Sequence, residues 1–193
     1  MNLKKNNSIL FLMCIYYRDD IEHLREAINS LKIQSKFIDE LIIVKNGLIL
    51  DEHEEIIKNI EKYINTKIIS LDKNIGLAKA LNRGLNFISS MWVARFDSDD
   101  ICHKDRFKIM KEKINLYGDK FDILGFYIEE FNKSIGDLKM IRKVPLNLND
   151  IKNRILLSNP INHVTVILKR ELLEKFTTNK EDFYPIIDGF EDY

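Results

Sequence analysis

Apolar and polar positions along the chain follow two rhythms that take turns. Ser8 to Tyr16 is a near-continuous apolar run, the pattern of a strand covered on both faces. After it, Ile21, Leu24, Ile28 and Leu31 recur at helical spacing, and Asp19 or Asp20 stands where a helix cap belongs. The alternation repeats. Glu40 to Val44 predicts a second strand ending at Asn46-Gly47, and Asp51 to Tyr63 a helix with Ile56, Ile57 and Ile60 on one side. Lys67 to Leu71 predicts a third strand. Gly76 to Ile88 then reads as a helix carrying Leu77, Leu81, Leu85 and Ile88, with Ala80 and Gly84 small enough for close packing. Met91 to Phe96 is the fourth strand.

Strand and helix alternating in this way imply a parallel sheet with helices on both faces. Ligands in such sheets bind beyond the carboxyl ends of the strands. Asn46, Asn74 and the stretch Asp97-Ser98-Asp99-Asp100 all fall at those ends, so distant parts of the chain converge on one cleft. Beyond Asp105 the rhythm changes. A helix is predicted over Asp105 to Leu116, one or two strands within Phe121 to Phe131, and another strand near Leu138 to Val144. A helix near Asn149 to Leu157, a strand over His163 to Lys169 and a short helix from Arg170 complete the pattern. No repeat, linker or low-complexity tract divides the 193 residues, so they read as one domain, with 1–105 forming one half and 106–193 the other.

Charge and composition narrow the function. Thirty basic and thirty acidic residues cancel, so the overall charge gives no sign of the basic face of a general nucleic-acid binder. Cys14 and Cys102 belong to no metal-ligand or CxxC pattern and read as buried thiols in a reducing cytoplasm. The apolar run near the N-terminus is short, has no small-residue cleavage site and stops at Arg18-Asp19-Asp20, so it reads as a strand and not as a signal peptide. No segment approaches the roughly 20 apolar residues that cross a bilayer. A cytoplasmic protein is expected, at most resting on the inner face of a membrane.

Against this neutral background, three carboxylates in four residues at a strand end need a reason. A turn with a helix cap explains one aspartate easily, but not three. A divalent-cation site explains them better, because Mg²⁺ and Mn²⁺ take carboxylate oxygens and leave positions for substrate phosphates. Acid–base chemistry by adjacent carboxylates is a third reading. The glycine and distal glutamate of an EF-hand are missing, as are the glycine-rich phosphate loops GxxxxGK[ST] and GxGxxG.

The blocks FLMCIYYRDD, ELIIVKNG, NIGLAKALNRGL, WVARFDSDD followed by DRF, NPINHVTV and the terminal FEDY resemble, in order, the inverting family 2 glycosyltransferases of bacterial surface-polysaccharide synthesis. That resemblance implies an α/β, GT-A (Rossmann-like) fold with a mostly parallel central sheet and a smaller antiparallel acceptor-side part. It also implies transfer of a sugar from a nucleotide-diphosphate sugar, a UDP-sugar in the first place, to a saccharide or lipid-linked acceptor. By that resemblance DSDD is the DxD motif. Asp97 contacts the donor ribose and also belongs to the metal side, where Asp99 binds Mn²⁺ or Mg²⁺ with Asp100 nearby. Tyr16, Asn46, Asn74, Lys79 and Arg95 line the nucleotide, Asn46 replacing the aspartate often found there. His163 faces the acceptor, and Asp192 takes the acceptor's proton with Glu191 beside it. Arg106 is expected to balance the acidic cluster and Phe107 to pack beneath it. Family members continue well past the ED motif, which makes a truncated or non-catalytic nucleotide-sugar-binding domain the alternative expectation. A sugar-phosphate nucleotidyltransferase fits less well, since CIYYRDD lacks that class's glycine-rich loop.

Overall fold

The computed structural model describes residues 7–176 together with 183–184. Four strands and four helices alternate first: β1 (Ile9–Ile15), α1 (Ile21–Ile33), β2 (Glu40–Lys45), α2 (Asp51–Ile60), β3 (Thr66–Ser70), α3 (Leu77–Leu85), β4 (Trp92–Arg95) and α4 (Arg106–Tyr117). Shorter elements follow: β5 (Ile123–Leu124), β6 (Ile128–Glu130), β7 (Met140–Arg142), α5 (Leu148–Arg154), β8 (Ile167–Lys169) and α6 (Arg170–Phe176). The main sheet has the order β3-β2-β1-β4-β8-β5. Its first four strands are parallel, while β8 runs antiparallel to both β4 and β5. A separate antiparallel hairpin joins β6 to β7. The expected α/β architecture, mostly parallel with a small antiparallel part, is therefore present.

Alternation along β1 builds the two layers. Ile9, Phe11, Met13 and Ile15 point to the face covered by α1, α2 and α4, where Phe11 meets Phe107 at a centroid distance of 4.3 Å. Leu10 and Leu12 point to the other face, with Ile42, Val44, Ala80, Leu81 and Leu173. A strand buried on both sides needs apolar residues at every position, which is why β1 and β2 read as unbroken runs. Gly84 lets α3 lie close to the sheet, because a side-chain carbon there would run into Leu12 and Val44.

Helix starts follow ordinary capping chemistry. Of the two candidates, Asp20 caps α1, its carboxylate accepting from the backbone N–H groups of Glu22 and His23 at 2.9 and 3.0 Å. That leaves Asp19 available for the cleft. The chain runs outward from β1 through β2 to β3, then crosses back to β4 on the other side of β1. The strand order thus reverses at β1, and a crevice opens beyond the carboxyl ends of β1 and β4.

One expected element differs. The run His163 to Lys169 is not a single strand: His163–Thr165 is a 3-10 turn, and only Ile167–Lys169 joins the sheet. Local polar groups outcompete the ladder there. Thr165 donates its hydroxyl to the Asn162 carbonyl at 2.7 Å and receives the Phe126 N–H at 2.9 Å. The stretch Phe121 to Phe131 likewise divides, β5 entering the main sheet and β6 the hairpin.

Candidate functional site at the carboxyl ends of β1 and β4

A cleft of about 550 Å³ occupies the crevice. The loop after β1 supplies Tyr16, Arg18, Asp19 and Asp20, the loops after β2 and β3 supply Asn46 and Asn74, and β4 with its acidic loop supplies Arg95, Asp97, Ser98 and Asp99. His163 closes the far side. Eight of the residues expected at the site are thereby placed, and seven of them line one cavity: Tyr16, Asn46, Asn74, Arg95, Asp97, Asp99 and His163. Asp100 is the eighth, partly buried just behind the wall. Lys79 sits exposed on α3, outside the lining. Glu191 and Asp192 lie outside the described residues.

The three carboxylates of DSDD have three different environments. Asp97 is held on both oxygens. Arg95 approaches Oδ1 with Nη2 at 2.8 Å and Nε at 3.0 Å, and His163 Nε2 lies 3.2 Å from Oδ2. Burial alone would raise the Asp97 carboxyl, but His163 and Arg95 outweigh it and hold the group below the ordinary carboxylate range. Arg95 is itself only 5% exposed and also faces the Tyr184 ring at 5.7 Å. Asp99 is the exposed member, directed to the cleft. Asp100 is pushed up to about 6, first by burial and then by the charges of Asp97 and Asp99. Among the described residues its Oδ2 is buried without a hydrogen-bond partner.

Arg106 does more than balance charge. Its Nη2 donates to the carbonyls of Arg95 at 3.3 Å and Val164 at 3.0 Å, joining the end of β4 to the 163–165 turn. Phe107 packs beneath, as expected, fully buried against Phe11.

On the opposite wall, two asparagines shape backbone. Asn46 Oδ1 accepts from the Ile75 N–H at 2.9 Å, and its amide donates to Asn74 Oδ1 at 3.1 Å. Asn74 Oδ1 also accepts from the Gly76 N–H at 2.9 Å. Gly47, at φ +94°, brings the chain so close that a side-chain carbon would stand 2.7 Å from the Asn74 nitrogen. An amide suits Asn46 because it must both donate and accept, which a carboxylate cannot do.

Asp19 is among the lining residues the sequence did not single out for the site, with Arg18, Asp20 and His23. Its Oδ2 accepts from the Tyr16 N–H at 3.2 Å, and Ser98 also bonds its carboxylate. Burial raises this carboxyl despite those bonds, and Asp99 adds to the rise. The contact ties the loop after β1 to the acidic loop after β4. The available signal was its place at the carboxyl end of β1, opposite DSDD. Cys14 also lines the cleft, but burial, with Asp19 next, pushes its thiol up to about 12, so it is an unreactive wall.

Among the described residues no group of three or more His, Cys, Asp or Glu side chains gathers as a ready-made metal cage. The donor set fits a looser site. Hard oxygen ligands stand at the acidic loop, Asp99 is exposed to the cleft, and the orphaned Asp100 Oδ2 is an acceptor of the kind a hydrated cation satisfies. An ion held by one or two carboxylates with diphosphate oxygens suits these residues; an all-protein cage does not.

Comparison with known proteins agrees with this architecture. The family model described as glycosyl transferase family 2 matches residues 11–177. A glycosyltransferase of Haemophilus influenzae is 32% identical over 176 residues, covering 90% of this chain and 66% of the relative. A UDP-Gal:alpha-D-GlcNAc-diphosphoundecaprenol beta-1,3-galactosyltransferase of Escherichia coli is 38% identical over 162 residues, covering 82% of this chain and 57% of the relative. The chain thus spans roughly three-fifths of the length of these two relatives. Among solved structures, S. aureus TarS 1-349 in complex with UDP-GlcNAc superposes with a TM-score of 0.67 at 21% identity, over 87% of this chain and 47% of that one. That likeness is one of fold. Since the family model runs from inside β1 to the end of α6, taking in the layered sheet and both walls of the cleft, this chain belongs to glycosyl transferase family 2.

Proposed function

We propose that the cleft binds the donor of an inverting, metal-dependent glycosyltransfer. The donor is a nucleotide-diphosphate sugar, a UDP-sugar in the first place, and the acceptor a saccharide or lipid-linked sugar of capsule, O-antigen or lipooligosaccharide synthesis. The single observation that carries this reading is the division of labour within DSDD. Asp97 is fixed and ionised by Arg95 and His163, while Asp99 stands exposed in the same cleft. A fixed carboxylate can accept from ribose hydroxyls without reorganising. The exposed one is free to hold Mn²⁺ or Mg²⁺, which when bound neutralises charge on the diphosphate leaving group.

The chain's own residues set the rest of the geometry. Asn46 and Asn74 hold the loop at Ile75–Gly76 in place on the nucleotide side, with Tyr16 across the cleft. His163 borders the cleft beyond Asp97, the side left for the acceptor. Asp192 is assigned the proton of the acceptor hydroxyl, with Glu191 beside it, and attack from that side inverts the anomeric carbon in one displacement. Support for a lipid-linked acceptor comes from the Escherichia coli relative, whose name specifies a diphosphoundecaprenol acceptor. The alternative, a nucleotide-sugar-binding domain without turnover, shares the same cleft.

Calorimetric titration with UDP, GDP and dTDP, each with and without Mn²⁺, tests the reading. Metal-dependent binding with UDP preferred is the expected result. Equal or absent binding of all three would remove it. Hydrolysis of a bound UDP-sugar then separates transferase from binding domain.

A further inference from the structure

The acceptor-side half carries an unusual surface. Leu146, Leu148, Ile155, Leu156 and Leu157 are between 63% and 89% exposed, and Ile141 on β7 is 58% exposed. Helix α5 has no buried residue, and neither has β7. Single exposed leucines need no explanation, but a concentration of them within one short stretch marks an interaction site.

Charge identifies the partner. Residues 133–157 hold six Lys and Arg side chains against Asp137 and Asp150, a net charge of +4 in a chain whose total is zero. The two carboxylates are already engaged locally, Asp137 by the backbone N–H groups of Lys133 and Ser134 and Asp150 by the Asn147 amide. Lys139, Lys143, Lys152 and Arg154 are all exposed. A second copy of this face would set cation against cation. Protein interfaces favour aromatic residues and avoid lysine, yet residues 133–157 contain no aromatic side chain. Aliphatic side chains interleaved with lysine and arginine match the headgroup and upper acyl region of an anionic bilayer.

The surface is also wired to the cleft. Asn162, buried, donates its amide to the carbonyls of Phe126 at 2.9 Å and Arg142 at 3.4 Å, fastening the root of the β6–β7 hairpin. Its neighbour His163 is the residue that contacts Asp97. The anchor of the hairpin and the wall of the donor site are therefore consecutive residues.

We infer that the β7–α5 segment, residues 140–157, is a docking surface for an anionic phospholipid bilayer, holding the acceptor side of the cleft at the lipid surface. The docking surface stands on its own residues. Its use, presenting the cleft to a lipid-linked acceptor, rests on the function proposed above.

Flotation of the full chain with vesicles tests it. Vesicles of phosphatidylglycerol and phosphatidylcholine should capture the chain at least tenfold better than phosphatidylcholine alone, and capture should fall as salt rises. Leu156→Ser with Leu157→Ser should reduce it about tenfold or more. Lys152→Ala with Arg154→Ala should reduce it about fivefold per side chain. Both double variants should keep the wild-type melting temperature and UDP affinity. Equal capture by the two vesicle types, or none, overturns the inference. So does a dimer in sedimentation velocity that either variant splits, which would assign the face to a second copy. Lost vesicle capture with UDP binding intact removes only the docking surface; lost UDP binding with capture intact removes only the donor site.

Discussion

The two halves of the molecule are built on different principles. Residues 9–117 form a layered sheet in which β1 and β2 are covered on both faces and the helices close each side. Residues 121–170 contain strands of two or three residues and a helix with nothing buried. They are joined through the sheet, where β8 pairs with β4 and Ile167 enters the core, and at a polar contact where His163 meets Asp97 and Arg106 reaches the Val164 carbonyl. The difference teaches where precision is located. The cleft wall at β1 and β4 rests on a close-packed core, whereas the β6–β7 hairpin and α5 form a thin, largely exposed shell outside the main sheet.

The largest test of that contrast is a pair of truncations. Phe11→Ala, in the centre of the first half, should cost about 4 kcal/mol of stability. Ile141→Ala, on the hairpin, should stay within about 0.5 kcal/mol. Urea unfolding measures both, and similar costs would mean that the halves are not distinct. Next in size is the joint between them. Asp97→Ala leaves the buried Arg95 guanidinium without its carboxylate, with the Tyr184 side chain still beside it, and should cost about 3 kcal/mol. If the melting temperature of that variant is unchanged, the ion pair does not hold the joint.

A smaller effect concerns pH. The Asp100 carboxyl, raised to about 6 in the fold, holds a proton that the unfolded chain releases above the ordinary aspartate value of 3.8. Its contribution to stability is therefore complete below about 3.8 and is lost as pH rises through about 6. Asp97 has the opposite sign: its folded carboxyl is lowered, so its contribution is present above the unfolded value and lost as pH falls through the lowered one. In metal-free buffer, Asp100→Asn should raise stability at pH 8 by about 2 kcal/mol and leave it nearly unchanged at pH 4. A gain that is the same at both pH values would point to packing and not to charge. The smallest expected effect is at Lys79. Because it sits outside the lining, Lys79→Ala should change UDP affinity less than about twofold by calorimetry, consistent with a screened, exposed charge.

The same contrast governs what could be read from the sequence. Unbroken apolar runs announced β1 and β2, since strands buried on both faces leave little room for polar residues; β4 was legible despite Arg95, which is buried near its end. Helical spacing announced α1 to α4. Strands such as Ile123–Leu124 are too short to show any period. The β-branched run after His163 looked like one strand until Asn162 and Thr165 bent its start into a turn, and that bend is what brings His163 to Asp97. The acidic cluster was legible as a site, but the roles within it were not. Which carboxylate is clamped and which is exposed depends on Arg95 and His163, one of them two residues away and the other 66. Asp19 escaped notice because it shares the capping chemistry of Asp20; both border the cleft, and only the packed fold shows that Asp20 caps the helix while Asp19 bonds the Tyr16 N–H and Ser98.

The most direct test of the central claim is Asp99→Asn, titrated with UDP in the presence and absence of Mn²⁺ beside the unaltered chain. An exposed cleft carboxylate whose work is to hold a cation should, when neutralised, abolish the metal-dependent part of binding while the melting temperature stays the same. Unchanged Mn²⁺-dependent binding, or a variant that unfolds, would contradict the account and return the cluster to the role of a structural turn.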